Sequence, residues 1–325
     1  MKALVKHSLA IAAMALLGAT APALAADAFP TKPVRLIVSS AAGGFLDVNV
    51  RLVARYMSDK LGQQVVVENR PGAGGLLAFR SVKASPADGY TLLAAGNTVA
   101  IQQAVNREPG YDLAKDFTGV GPLTRTPFLL LTAPSQPDKD LGAMITRAKA
   151  NPAKLDYASA GNGSTTHLVA AYFAQKAGLD LTHVPYKGNS AAWPDVISGR
   201  VSMIFEPWGT AAPMIREGRM KALGVTSTKR LEVLPALPTI AEQGVPGYSF
   251  YFWVGLMAPA GTPKEVVQKL SDALRSAVNM PEVKNRFRDD GAEAMLMSPD
   301  EFTHFLKDEA TGMSKLVSDL KLPKE

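Results

Sequence analysis

The sequence predicts an α/β fold with largely parallel sheets, arranged as two lobes. Three observations predict it. Short β-branched runs alternate with segments of helical periodicity. A strand, a loop of small residues and a helix follow one another twice, once in each half of the chain. The chain has 325 residues, enough to build two cores rather than one.

In chain order, Val34, Leu36, Ile37 and Val38 mark a first strand, residues 39–44 a loop, and residues 45–61 a helix. Within that helix Val50, Val53, Ala54, Met57 and Leu61 recur at helical spacing on one face. Residues 65–67 and 90–95 read as the next two strands, and residues 129–133 as an apolar run ended by Pro134. The second block repeats the plan: a strand over 155–158, a loop over 159–163 and a helix over 164–177. Strands follow around His183 and over 201–205, 221–225 and 251–257, with Pro- and Gly-rich turns over 235–247. The C-terminal third is helical, and Phe302, Phe305, Leu306, Met313 and Leu316 form an apolar packing stripe.

The first residues read as an export leader. Lys2 and Lys6 precede an apolar run over 9–18, and Ala23-Leu24-Ala25 has the small-x-small pattern of a cleavage site, placing the cut after Ala25 or Ala26. The apolar run falls short of the roughly 20 residues a membrane-crossing helix needs. The expected location is therefore outside the cytoplasm. With no Cys, neither disulfides nor a lipid anchor on cysteine is available. Without Lys2 and Lys6 the chain carries 33 basic and 29 acidic residues, a net +4 spread along its length. No basic cluster interleaved with aromatics occurs, which argues against nucleic acid as a partner.

The two strand–loop–helix units carry the functional reading. Small residues let a ligand approach the backbone closely. A helix start leaves N–H groups unpaired and carries positive partial charge, so it favours an anion. Each such interaction contributes about 0.3–1 kcal/mol, up to about 2 when partly buried. Micromolar affinity needs about 8 kcal/mol, so direct hydrogen bonds and apolar burial must supply the rest.

Other motifs point elsewhere or nowhere. Gly72, Gly74 and Gly75 suggest a dinucleotide loop, but Leu77 stands where a glycine is required and Pro71 occupies the turn. His167, His183 and His304 lack metal-ligand spacing, so no metal or other cofactor is expected. Ser164 beside His167 could be a nucleophile and base, yet Ser at a helix start is ordinarily a cap. Asp47 has the equally plain reading of a carboxylate near a helix start. Phe45, Phe205, Trp208 and Trp253 follow strands; core burial is the default, with pocket walls the alternative.

Seven segments in order, KPVRLIV (32–38), GGFLD (43–47), VVENRPGAGG (66–75), DGYTLL (88–93), YASAGNG (157–163), HVPYKG (183–188) and APAGTP (258–263), resemble the solute-binding proteins of tripartite tricarboxylate transporters, the Bug-type family. The resemblance covers essentially the whole chain after the leader. It implies a type II periplasmic-binding fold: two α/β lobes joined by crossing strands near residues 128–133 and 252–257, with a ligand cleft between them. The implied division is a leader over 1–25, one lobe over 26–127 plus 255–325, and the other over 128–254. It further implies a monomeric binding protein without catalysis, gripping a small organic carboxylate for membrane transporter subunits. A ligand sensor for a membrane receptor and an exported hydrolase are the alternatives.

Transferred to this chain, the grip falls on Ser40, Ala41, Ala42, Gly43, Gly44 and Phe45 in the first unit. In the second it falls on Ser159, Ala160, Gly161, Asn162, Gly163, Ser164, Thr165 and His167. Asn97, Thr98 and Glu206 border the cleft. Where the family shows a proline before its Gly-Gly this chain has Ala42; Phe45 replaces a polar residue, and Ser202 and Glu206 each replace an Asp. These departures suggest a carboxylate with an apolar or aromatic body, and a bulky residue at Gly43 or Gly163 is expected to block its binding.

Overall fold

Strands and helices alternate through most of the chain from Val34 onward, as the periodicity predicts. The computed structural model describes residues 29–152, 154–322 and 324; the expected leader lies outside them. The first segment runs β1 (Val34–Val38), α1 (Phe45–Leu61), β2 (Val65–Asn69), α2 (Leu76–Lys83), β3 (Thr91–Gly96), α3 (Thr98–Val105) and α4 (Leu113–Asp116). The long β4 (Phe117–Thr132) then leads into α5 (Leu141–Ala150), β5 (Asp156–Ser159), α6 (Thr165–Ala177), β6 (Thr182–Pro185), α7 (Asn189–Ile197), β7 (Met203–Pro207), α8 (Trp208–Arg216) and β8 (Lys221–Val225). The chain returns through β9 (Tyr251–Pro259) and ends with α9 (Lys264–Val278), α10 (Pro281–Asp289), β10 (Glu293–Ala294) and α11 (Pro299–Asp319).

The strand order β2-β1-β3-β9-β4-β7-β5-β6 comprises two sheets that share β4. Residues 117–127 of β4 pair antiparallel with β9, whereas residues 128–131 pair with β7 and residues 129–132 with β8. The chain therefore changes sheet between Pro127 and Phe128. β1 is parallel to both β2 and β3, and β5 to both β6 and β7, as expected of strands linked by helical crossovers. Among the described residues, apolar clusters lie on both sheets. One lies around Ile37, Phe79, Trp253 and Phe302, one around Phe128, Phe173, Phe205 and Tyr248, and one around Leu131, Ile204 and Trp208.

Helix α11 belongs to two of these clusters. Its Phe302, Leu306 and Ala310 pack with the first, and its Val317 with the second. The Gln175 side chain of α6 donates to the Asp319 carbonyl at 3.1 Å, tying the end of α11 to the second sheet's layer.

Two elements differ from the sequence reading. The run at 129–133 is only the end of a 16-residue strand; Gly119, Gly121, Pro122 and Pro127 obscure the rest. Gly119, Gly121 and Pro122 are tolerated because the ladder with β9 shifts register around Gly119–Gly121 and Pro122–Thr124, and Pro127 stands where the chain changes sheet. Thr98, which the sequence reading places only at the border of the cleft, opens a helix that the periodicity does not assign.

Candidate functional site

The first loop, between β1 and α1, is built from behind. Gly43 has φ +81°, a left-handed conformation that glycine adopts without steric cost. Its N–H donates to Asp47 Oδ2 at 2.9 Å. Asp47 Oδ1 accepts from Asn69 at 2.8 Å and from Arg51 at 3.0 Å, and Asn69 also donates to the Ser40 carbonyl at 3.0 Å. Burial alone would raise the Asp47 carboxyl, but the Gly43 N–H, Arg51 and Asn69 together hold it below the usual range. Asp47 is thus a brace for the loop. Gly44, the N-cap, offers no side chain, so the first N–H groups of α1 have no side-chain acceptor. Ala41, Ala42, Gly43 and Gly44 are exposed, and Ser40 and Phe45 half-buried.

The second helix start is α3. Asn97 does not cap it; its amide spans β9 instead, donating to the Tyr251 carbonyl at 2.9 Å and accepting from Trp253 N–H at 3.1 Å. This clamp fixes the intervening Phe252. The Phe252 ring lies against Gly96, where a Cβ would meet it at 2.7 Å. It meets Phe45 edge-on, with centroids 6.0 Å apart, and Phe128 at 6.4 Å.

The third is α6. Ser164 caps it, its Oγ accepting the His167 N–H at 3.2 Å. The His167 ring does not face that hydroxyl; its Nδ1 accepts from the Gly163 N–H at 3.2 Å. Ser159 Oγ accepts the Gly161 N–H at 3.1 Å and lies 2.6 Å from His183 Nε2. The Ala160 N–H donates to Thr166 Oγ1 at 3.0 Å. The His167 and His183 rings stack with centroids 3.9 Å apart, and Tyr157 stacks on His183 at 5.0 Å. Burial pushes both imidazoles down to about 4, with His183 adding to the effect on His167, and burial pushes Tyr157 up to about 12. Two neutral imidazoles therefore underlie the loop. With Ser164 capping and His167 turned to Gly163, the pair has no nucleophile–base geometry.

Thr98 Oγ1 and Thr165 Oγ1 lie 3.2 Å apart, and Gln102 Nε2 donates to the Gly163 carbonyl at 3.1 Å. The starts of α3 and α6, which follow strands of different sheets, are thereby in contact. Among the described residues no hydrogen bond joins residues 40–45 to residues 159–165. Asn162 is exposed at the tip of its loop.

Glu206 sits at the end of β7, 3% exposed, and accepts from Trp193 Nε1 and Thr210 Oγ1, each at 2.9 Å. Burial raises its carboxyl above the ordinary range, against the opposing hydrogen bonds of Trp193, Thr210 and Asn189. Asn189 Oδ1 accepts from Thr166 Oγ1 at 2.9 Å, so Glu206 reaches the second loop through Asn189 and Thr166. Ser202 lies away from the loops: its N–H donates to Asp156 at 2.6 Å and its carbonyl accepts from Thr132 at 2.8 Å. Phe205, Trp208 and Trp253 are core residues, at most 5% exposed. Among the described residues no three His, Cys, Asp or Glu side chains converge as a metal site would require. The Gly72–Gly75 turn packs on Gln102 and Phe79, which a Cβ at Gly74 or Gly75 would strike.

Sequence reasoning missed Phe252, Gln102, Thr166 and Asn189. The alternation in Tyr251-Phe252-Trp253 was the available signal for Phe252, since neighbours in a strand face opposite ways.

The family described as "Tripartite tricarboxylate transporter family receptor" matches residues 49–322. The UPF0065 protein in the tcbD-tcbE intergenic region of Pseudomonas sp. (strain P51) is 35% identical over 318 residues, covering 98% of this chain and 95% of that protein. The structure of the periplasmic binding protein BugD superposes with a TM-score of 0.82 at 31% identity, covering 91% of this chain and all of that one. R. palustris Rpa4515 with adipate gives a TM-score of 0.83 at 34% identity, over 91% and 99% of the two chains. The fold is that of the periplasmic binding proteins.

Proposed function

Given that the chain belongs to the receptor family of tripartite tricarboxylate transporters, we propose that this solute-binding protein captures a small organic carboxylate where the starts of α1, α3 and α6 converge and delivers it to the membrane subunits of such a transporter. The observation that carries the reading is the contact between α3 and α6, Thr98 to Thr165, bringing helix starts from two sheets to one place. The likeness to a protein solved with adipate supports a carboxylate as the ligand class.

In this reading the anion rests on backbone N–H groups. Those of Ala160, Gly161 and Gly163 are engaged within their loop, so the second loop's role is to hold its shape while the first turns of α1 and α6 donate. Ser40, Thr98, Ser164 and Thr165 supply hydroxyls. His167 and Glu206 act from beneath as positioning groups. The lobes meet where β4 changes sheet, with residues 128–254 forming one and residues 26–127 plus 255–325 the other. Residues 1–25 act as the leader that takes a monomer to the periplasm.

Isothermal titration calorimetry with a panel of small organic acids, amines and neutral solutes tests the binding step. Micromolar or tighter affinity for acids alone is expected; affinity only for amines or neutral solutes would overturn it. Loss of acid uptake by cells lacking the chain tests delivery.

A further inference from the structure

The helix starts account for an anion; the surface between them concerns the rest of the ligand. Phe252 and Phe45 are both half-buried, whereas Phe128 and Phe250 behind them are 2% and 6% exposed. Phe252 is aimed deliberately: Asn97 holds the backbone on either side of it, and Tyr251 and Trp253 turn to the opposite face, Trp253 Nε1 donating to Glu309 at 2.7 Å. Phe45, the first residue of α1, closes on Phe252 from the loop side at an interplanar angle of 71°. The two rings form an apolar wall joining the α1 start to the α3 start.

The carboxylates nearby are spent. Asp47 is satisfied by Gly43, Asn69 and Arg51. Glu206 is satisfied by Trp193 and Thr210 and is buried. None of the residues over 39–45, 96–98 or 159–167 is Lys or Arg. Between the helix starts, a body rich in hydroxyls or a second carboxylate beyond the reach of those starts would meet phenyl rings. Resting on the carboxylate-binding reading above, we infer that the ligand is a carboxylate with an apolar, ring-sized body packed on Phe45 and Phe252, and that Phe45 sets this specificity.

Calorimetry with benzoate, phenylacetate and cyclohexanecarboxylate against malate, citrate and adipate tests the inference, using the wild-type chain and Phe45→Ser. Ring-bearing acids are expected to bind the wild type at least ten-fold tighter than the polar di- and tricarboxylates. Phe45→Ser is expected to remove most of that advantage while leaving the unliganded melting temperature within a few degrees. Tighter binding of malate, citrate or adipate, or a preference unchanged in Phe45→Ser, would overturn the inference and leave carboxylate binding standing. Failure of every acid would remove both.

Discussion

The Thr98 and Thr165 hydroxyls lie 3.2 Å apart and join the first residue of α3 to the first residue of α6. These helices follow β3 and β5, which belong to different sheets. Together with Gln102 on the Gly163 carbonyl, the bond holds two helix starts in register across the junction. A hydrogen bond of this kind contributes about 0.5–1.5 kcal/mol net. Thr165→Val keeps the shape and removes the hydroxyl. Affinity for the ligand is expected to fall roughly two- to twelve-fold, the range that free energy sets, and small-angle scattering of the unliganded protein should show a larger radius. Unchanged affinity and radius would show that the bond is incidental.

The glycines of the two loops are not equivalent tests. A Cβ at Gly163 would stand 2.8 Å from Val105 and 3.2 Å from Gln102, so substitution there disturbs packing as well as binding. Gly43 has open space but a φ of +81° that strains any other residue. Gly44 has φ −76°, and its Cβ would meet only the Ala41 carbonyl at 3.7 Å. Gly44→Val therefore places bulk at the α1 start without strain. Binding should weaken at least ten-fold with the melting temperature nearly unchanged; calorimetry beside a thermal melt checks both, and full affinity would exclude the α1 start from the grip.

The stacked His167 and His183 give the fold a pH dependence of definite sign. Both titrate near 4 when folded, against about 6.5 in an unfolded chain. Between those values the unfolded state binds more protons, so stability rises with pH. The contribution is fully present above about 6.5 and is lost as pH falls toward 4. Urea unfolding from pH 4 to pH 7 should show this slope, and His167→Gln combined with His183→Gln should flatten it. An equal slope in that double variant would place the dependence elsewhere.

Glu206 acts in the opposite sense. Its carboxyl is raised by burial, so its contribution is greatest below the ordinary carboxylate range and declines as pH rises through the folded value. Glu206→Gln keeps an acceptor for Trp193 and is expected to leave stability at pH 8 unchanged or higher by about 1 kcal/mol. Glu206→Ala leaves the Trp193 N–H without its partner and should cost about 1–3 kcal/mol. Chemical denaturation at pH 5 and pH 8 distinguishes them; a destabilised Gln variant would mean that the ionised form is the one the fold needs.

Much of this architecture was legible in the chain. Val34–Val38 and Phe45–Leu61 match the strand and helix that periodicity assigns, because one-sided burial imposes a clear repeat on each. The start of β4 was hidden by Gly119, Gly121 and Pro122, which it tolerates where the register with β9 shifts, and by Pro127, which stands where it changes sheet. The small-residue loops were visible as composition, but their internal bonding was not. That Asp47 binds the Gly43 N–H and His167 the Gly163 N–H depends on side-chain direction, which spacing does not encode. Phe252 was obscured in the same way: on the other side of β9 Trp253 enters the core and Tyr251 lies under Arg125, while Phe252 meets Phe45 at the α1 start.

The central claim is that a ligand carboxylate lies on helix starts rather than on cationic side chains. A crystal structure of the chain with its tightest-binding acid tests this most directly. Carboxylate oxygens are expected about 2.7–3.2 Å from backbone N–H groups in the first turns of α1 and α6, with the body against Phe45 and Phe252. A carboxylate held instead by Lys or Arg side chains, away from residues 39–45 and 159–167, would contradict it.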